Sequence, residues 1–156
     1  MLKTSLLMLA LAASAVNTPA APGDLDPSFD GDGKLTTKVS TNDFGFDSAK
    51  AVLVQPDGKI VAIGESGSHV ALVRYLADGA LDPAFGVAGV VTTRLTEDDY
   101  FYVAAAVLQP DGKIVVAGQV TIATNTTYGE VFVARYLTNG TLDRSEERRV
   151  GKECRL

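Results

Sequence analysis

Four aspartates beside two glycines form the cluster with the clearest potential for chemistry near the N-terminus. They are Asp24, Asp26, Asp30 and Asp32, around Gly31 and Gly33. Oxygen-rich loops bent by glycine are segments in which proteins bind Ca²⁺. The spacing differs from that of an EF-hand loop. In the second copy of the repeat described below, Gly86 and Ala88 replace Asp30 and Asp32. We therefore interpret the cluster as a solvated acidic loop, with calcium binding as the alternative.

Two acidic and aromatic segments are candidates for ligand contact. Residues 42–47 (NDFGFD) and residues 97–102 (EDDYFY) occupy matching positions before a β-strand in two copies of a repeat. The acidic residues of the second segment are Glu97, Asp98 and Asp99. Each segment by itself is typical of a surface loop. Together they predict an acidic and aromatic rim that could contact carbohydrate or a partner protein.

The remaining catalytic candidates are few. His69 is the only histidine, its counterpart in the second copy is Glu130, and the only cysteine is Cys154. A zinc site or a catalytic triad needs several such residues, so neither is predicted. The chain also lacks a Gly-x-Ser-x-Gly nucleophile motif. We assign no catalytic, cofactor-binding or metal-binding residue and no cofactor from the sequence.

Two arginines recur in the repeat. Arg74 is followed by tyrosine, as is Arg135, and each precedes an aspartate by eight residues. We predict that these arginines form structural ion pairs or hydrogen bonds to neighbouring turns, with Asp82 and Asp143 as their partners.

An internal repeat organises the elements that position these residues. The block QPDGKI at residues 55–60 returns unchanged at residues 109–114, an offset of 54. The block LDPSF at residues 25–29 returns as LDPAF at residues 81–85, an offset of 56. A third block, beginning at Arg74, returns at an offset of 61. Separated blocks that recur in one order indicate a repeat of 54 to 61 residues.

Each repeat unit is predicted to be a small antiparallel sheet. Short β-branched runs alternate with Pro-Asp-Gly and Asp-Gly turns, and no sustained helical period is present. The expected strands are 49–54, 59–63, 70–76 and 90–95, followed by 103–108, 113–117 and 131–137. Four strands per unit cannot bury both faces of a sheet alone, so the units must stack. The prediction is an all-β fold of antiparallel four-stranded units, a fragment of a β-propeller, with a β-sandwich as the alternative.

Both ends of the chain differ from the repeats. Lys3, an apolar run to Ala13 and the small residues that follow are typical of a secretory signal peptide over residues 1–15, with cleavage as late as residue 21. This run is too short to span a bilayer. Residues 144–156 share no pattern with the repeats, and their sequence resembles the translation of a sequencing-library adapter. We interpret them as a non-native tail.

Charge further narrows the expected partners. Residues 16–143 contain eight basic and sixteen acidic residues, a net charge of −8. Such a chain is unsuited to binding nucleic acid, a polyanion. We expect the mature chain to be secreted or periplasmic, without a membrane span, and its partner to be an unknown protein or carbohydrate.

The repeated blocks also resemble a known family. The sequences at residues 25–29, 55–61, 74–75 and 78–82 are similar to the delta-60 repeat of bacterial secreted proteins, and the resemblance covers residues 23–143 as two repeats and the start of a third. Departures are Asp30, where the repeat usually has glycine, and the end of the third copy at Asp143. The resemblance implies a propeller-like repeat without established enzymatic activity. The expected function is a secreted, non-enzymatic structural or binding scaffold. The alternatives are an exported propeller hydrolase or lyase with its site in missing blades, and a calcium-dependent carbohydrate-binding module.

Overall fold

Seven antiparallel strands make up the described part of the fold. The computed structural model describes residues 21–40, 46–95, 100–121 and 129–144. Its strands are β1 (Asp47–Val54), β2 (Ile60–Ser66), β3 (His69–Tyr75), β4 (Val90–Thr93), β5 (Tyr100–Leu108), β6 (Ile114–Thr121) and β7 (Gly129–Tyr136). Sheet 1 has the order β1-β2-β3-β4 and sheet 2 has the order β5-β6-β7. The prediction of an all-β fold built from antiparallel units is confirmed. Within the described residues, the second unit has three strands and not four.

The first hairpin of each sheet turns at the repeated Pro-Asp-Gly block. Gln55 N–H donates to Lys59 O at 2.8 Å, and Gly58 N–H donates to Gln55 O at 2.9 Å. Gly58 has φ of 82° and Gly112 has φ of 81°. These are left-handed values that glycine adopts without a steric cost. The Pro-Asp-Gly turns predicted from the sequence are therefore confirmed.

A second glycine is required inside the strand that follows. The pairing of β1 with β2 shifts register between Ala49 and Ala51, and that of β5 with β6 shifts between Val103 and Ala105. Gly64 and Gly118 face these irregularities, and a Cβ at either position would meet the backbone oxygen of the partner strand. The bulge therefore brings two backbones so close that only glycine fits.

A crossover segment connects the third strand of a unit to its fourth. In sheet 1 the chain leaves Tyr75, forms a bridge at Leu81, and turns through hydrogen bonds from Phe85 N–H to Asp82 O and from Gly89 N–H to Phe85 O. The segment 25–37 repeats this path before sheet 1. There Phe29 N–H donates to Asp26 O at 3.1 Å, and Gly33 N–H donates to Phe29 O at 2.7 Å.

The two sheets stack with β5 lying against β1, β2 and β3. The core between the sheets contains Val61, Ile63, Val70, Leu72 and Phe85 from the first unit, and Ile114, Val116, Phe132, Ala134 and Tyr136 from the second. Complete burial of one such aliphatic side chain contributes about 1.5–3 kcal/mol.

The stacking is directional. By the repeat offsets, the core residues Ile114 and Phe132 of sheet 2 correspond to Ile60 and Ala71 of sheet 1. Neighbouring residues of a strand point to opposite faces, and Val61 and Val70 face the core. Ile60 and Ala71 therefore lie on the face of sheet 1 that points away from the core. Each sheet thus contributes a different face to the core. A sandwich of two equivalent sheets would bury the same face of each, so the arrangement matches successive propeller blades.

Several sequence-based predictions lie outside this part of the structure. The signal peptide over residues 1–15 and the tail after Arg144 are outside the described residues. Among the described residues, no helix has the length and apolar character to cross a membrane.

Candidate functional site

The repeated arginine and aspartate form a buried ion pair in the first unit. Arg74 Nε donates to Asp82 Oδ2 at 2.9 Å, and the two side chains are only 7% and 4% exposed. Arg74 lies at the C-terminal end of β3 and Asp82 lies in the crossover that follows, which returns to this end of the strand. Their backbones are also joined, because Asp82 N–H donates to Arg74 O at 3.0 Å. This pair confirms the structural role predicted for Arg74.

A lysine from the hairpin turn completes the group. Lys59 Nζ lies 3.3 Å from Asp82 Oδ2 and 3.2 Å from Asp57 Oδ2. The turn at Gly58 places Lys59 beside the crossover. The repeated Pro-Asp-Gly-Lys block thus contacts Asp82, which in turn pairs with Arg74 of β3. The sequence places Lys59 at the start of a predicted strand (residues 59–63) and does not predict this contact with Asp82.

Arg74 also reaches the next repeat unit. Its Nη1 donates to Thr138 O at 2.6 Å, and the guanidinium lies over the Phe85 ring at 4.4 Å from the centroid. The planar guanidinium can lie over an aromatic ring while its fork of N–H groups donates to two different acceptors, a combination that the lysine ammonium lacks. Arg74 therefore connects β3 to the crossover and to the neighbouring unit. We call the group formed by Lys59, Arg74 and Asp82 the junction.

The second unit repeats the junction with more solvent access. Arg135 Nε donates to Asp143 Oδ2 at 3.0 Å, and Lys113 Nζ lies 3.8 Å from the same oxygen. The side chains of Arg135 and Asp143 are 20% and 13% exposed. The role predicted for this pair is also confirmed.

The junction keeps its carboxylate ionised. Burial of Asp82 acts to raise its pKa, but the hydrogen bond from Ala84 N–H and the charges of Arg74 and Lys59 outweigh burial. The pKa of Asp82 is therefore below its ordinary value. Its charge and hydrogen bonds are used within the chain, and this suits the junction to holding elements together.

Three of the N-terminal aspartates accept hydrogen bonds from residues two or three positions away in the sequence. Asp24 Oδ2 accepts from Ala21 N–H at 3.0 Å, and Asp32 Oδ2 accepts from Lys34 Nζ at 2.6 Å. Asp26 accepts from Ser28 N–H at 2.9 Å, and hydrogen bonding to Ser28 lowers the pKa of Asp26. No group of three or more potential metal ligands occurs among the residues described.

Only part of the proposed acidic and aromatic rim is described. Glu97, Asp98, Asp99 and residues 42–45 lie outside the described residues. Phe46 is 87% exposed. Asp47 is used internally, since its carboxylate accepts from Val39 N–H at 2.9 Å and from Ser40 N–H at 3.1 Å.

One contact between the units was missed from the sequence. Glu65 Oε1 accepts from Val103 N–H at 2.6 Å, and Lys50 Nζ lies 3.6 Å from Glu65 Oε2. Lys50 also lies 4.8 Å from the centroid of the Tyr102 ring. Glu65 corresponds to Gln119 in the second unit, so a comparison of the two repeats did not identify this position as a contact between units.

His69 begins β3 and is half-buried.

Comparison with known proteins supports the same architecture. Residues 55–85 and 109–145 match the family described as "Domain of unknown function (DUF5122) beta-propeller". Both matches begin at the hairpin turn and include the junction arginine and aspartate. Comparisons with curated proteins and with solved structures gave no match. Residues 55–85 and 109–145 are therefore similar to a family of β-propeller repeats.

Proposed function

We propose that this protein is an exported, non-enzymatic scaffold of the propeller type. The observation that carries the proposal is the use of the repeated charged residues. The arginine, aspartate and lysine that recur in both units contact one another and the backbone, so the features preserved by the repeat maintain its architecture. A scaffold repeats its framework and varies its loops, which is the arrangement expected of repeat proteins that bind partners.

Sequence features support the export part of the proposal. Lys3, the apolar run after it and Ala13-Ser14-Ala15 have the order of a secretory signal peptide. The acidic repeats favour a protein or carbohydrate partner over nucleic acid. The exposed Phe46, near the end of the first acidic and aromatic segment (residues 42–47), supplies an apolar contact for such a partner.

The non-enzymatic part can be tested with the purified chain. Chromogenic ester and glycoside substrates are incubated with the protein and with the Arg74→Met and Phe46→Ala variants. We expect no turnover by any of the three proteins. Turnover that Arg74→Met abolishes, while circular dichroism shows that the variant is folded, would contradict the scaffold proposal.

Thermal unfolding separates the scaffold from a calcium-dependent module. The local donors that occupy Asp24, Asp26 and Asp32 favour a melting temperature that is the same in calcium and in a chelator. A calcium-dependent rise that Asp26→Asn removes would instead support the carbohydrate-binding module.

A further inference from the structure

An asparagine followed by glycine lies in the turn after β7. Asn139 and Gly140 are the only such pair in the sequence. Gly140 N–H donates to Leu137 O at 2.9 Å. Asn139 Oδ1 accepts from Thr141 N–H at 3.0 Å, so the side chain bonds the backbone two residues on, as asparagine often does in turns. Asn139 is exposed, and water therefore reaches its side-chain amide.

This pair has the residue types for deamidation without an enzyme. The backbone nitrogen of Gly140 attacks Cγ of Asn139 and forms a C–N bond, while the bond from Cγ to the side-chain nitrogen breaks. Ammonia leaves with the proton of the Gly140 amide. Water then opens the cyclic imide at either carbonyl carbon and gives aspartate or isoaspartate, so a water is consumed for each ammonia released. Glycine favours the reaction, because it has no Cβ to hinder the approach of its nitrogen.

The contact between the units requires glycine at this position. A Cβ on Gly140 would lie 2.7 Å from Cγ2 of Val91 and 3.0 Å from the Phe85 ring, both in the first unit. Gly140 also has φ of 86°, a left-handed value that disfavours a side chain. Packing of one unit on the other thus places beside Asn139 the residue type that most favours deamidation.

The same contact holds the reacting peptide group in place. The carbonyl oxygen of Asn139 accepts from Gly86 N–H at 2.9 Å, while the nitrogen of that peptide group donates to Leu137 O. Thr138 O, one residue earlier, accepts from Arg74 Nη1 at 2.6 Å. Attack on Cγ needs this peptide group to rotate, and rotation breaks both of its hydrogen bonds. The folded turn therefore slows the reaction, and local opening of the boundary between the units permits it.

The first unit shows which product the turn accepts. Asp78 is the counterpart of Asn139, and its side chain accepts from Ala80 N–H at 3.0 Å in an equivalent turn. Asp78 O accepts from Asp30 N–H at 2.8 Å, just as Asn139 O accepts from Gly86 N–H. Aspartate at this position therefore keeps the turn. Isoaspartate lengthens the main chain by one carbon, so the turn and the hydrogen bond to Gly86 N–H cannot both be kept.

We propose that Asn139 is a site of spontaneous deamidation, that the contact between the two units sets its rate, and that isoaspartate formed there prevents this contact from closing again. The modification acts in one direction, because each opening exposes the turn to reaction and the isoaspartate product disfavours closure. The inference goes beyond the scaffold function, since it concerns the covalent ageing of the chain and does not depend on export or on a ligand.

Peptide mapping by mass spectrometry measures the reaction, because a carboxyl group in place of the side-chain amide raises the mass of the fragment that contains residue 139. The purified chain is incubated at mildly alkaline pH beside a synthetic peptide of residues 137–141, which has the same sequence without the fold. We expect deamidation in both samples, roughly tenfold slower in the folded chain. Equal rates, or a chain that stays unmodified, would overturn the proposal.

Arg74→Met tests whether the contact between the units controls the rate. The variant lacks the donor to Thr138 O, so the boundary opens more readily and deamidation should be roughly tenfold faster. Gly58→Val is the control, because it strains the first hairpin of sheet 1 and removes no hydrogen bond of the turn at residues 137–141. It should react at the rate of the unmodified chain. Equal acceleration by both variants would assign the reaction to global unfolding and contradict the proposal, as would an unchanged rate in Arg74→Met.

The two products are separated with the help of Asn139→Asp. The turn of this variant should match the turn at Asp78, so its melting temperature should equal that of the unmodified chain. Chain that has been aged until it contains isoaspartate, and then isolated by ion-exchange chromatography, should melt at a lower temperature and exchange the hydrogen of Gly86 N–H faster. An isoaspartate form that matches Asn139→Asp in both measurements would show that the contact tolerates the longer main chain, and the proposal would be wrong.

Discussion

Arg74 and Asp82 form an ion pair of 2.9 Å between Nε and Oδ2, and the same arginine donates to the carbonyl of Thr138 in the next unit. One side chain thus stabilises a crossover and the boundary between two repeat units. Burial makes this pair costly to break, since removing one partner leaves the other charge without compensation in a low dielectric.

We expect Arg74→Met to lower the free energy of unfolding by about 3–5 kcal/mol, because Asp82 stays buried with only the partly exposed Lys59 nearby. Arg135→Met is the matched comparison and should cost less, since the second pair has more solvent access. Urea denaturation of both variants measures the difference. A smaller loss for Arg74→Met than for Arg135→Met would contradict the structural role assigned to burial.

Acid should destabilise the protein through Asp82. Its pKa in the folded state is below the ordinary value of 3.8. A depressed pKa contributes stability that is present in full above the unfolded value and is lost as the pH falls through the folded value. We therefore expect the free energy of unfolding to decrease as the pH falls below about 4.

Asp82→Asn tests this assignment. The variant should be less stable than the unmodified chain at about pH 7, and its stability should change less between about pH 5 and about pH 2. Urea denaturation across this range gives the comparison. Parallel pH profiles for the two proteins would show that other carboxylates determine the acid response.

The hairpin glycines should resist substitution because of their backbone conformation. Gly58→Val and Gly112→Val should each cost about 1 kcal/mol or more, since φ near 80° disfavours a residue with a Cβ. Gly58→Asn should cost less, because asparagine tolerates left-handed φ. Thermal unfolding of the three variants checks the order, and equal melting temperatures for all of them would refute the turn assignment.

The bulge glycine should resist substitution because of space. Gly118→Ala should destabilise by about 1–3 kcal/mol, since its Cβ would meet the carbonyl oxygen of Tyr102 and the strands must move apart. Gly31→Ala provides the contrast, because Gly31 has positive φ but nothing within 4 Å of the new Cβ. A smaller loss for Gly118→Ala than for Gly31→Ala would show that the bulge can relax.

Export should remove the first 15 to 21 residues of the chain. Expression in a bacterial host, followed by fractionation and N-terminal sequencing, measures the cleavage point. Leu9→Asp, which interrupts the apolar run, should leave the protein uncleaved in the cytoplasm. Recovery of the unmodified chain in the cytoplasm with Met1 intact would rule out the signal peptide.

The sequence by itself determined the features that depend on neighbouring residues. The turns at Gly58 and Gly112 and the pairing of Arg74 with Asp82 were predicted, and so were all seven strands, whose ends differ from the prediction by four residues at most. These features are local, because a Pro-Asp-Gly turn fixes the hairpin and a short crossover returns the aspartate to the strand. The internal repeat added a second, independent copy of each signal.

The tertiary structure alone decided the contacts between units. Arg74 donates to the carbonyl of Thr138, which is 64 positions away in the sequence, and Glu65 accepts from Val103, which is 38 positions away. No short sequence motif predicts such contacts. The direction of stacking was also hidden. Both faces of these strands carry apolar residues, so hydrophobic alternation cannot show which face of one unit meets which face of the next. Packing made that choice, burying Val70 while leaving its counterpart Val131 exposed.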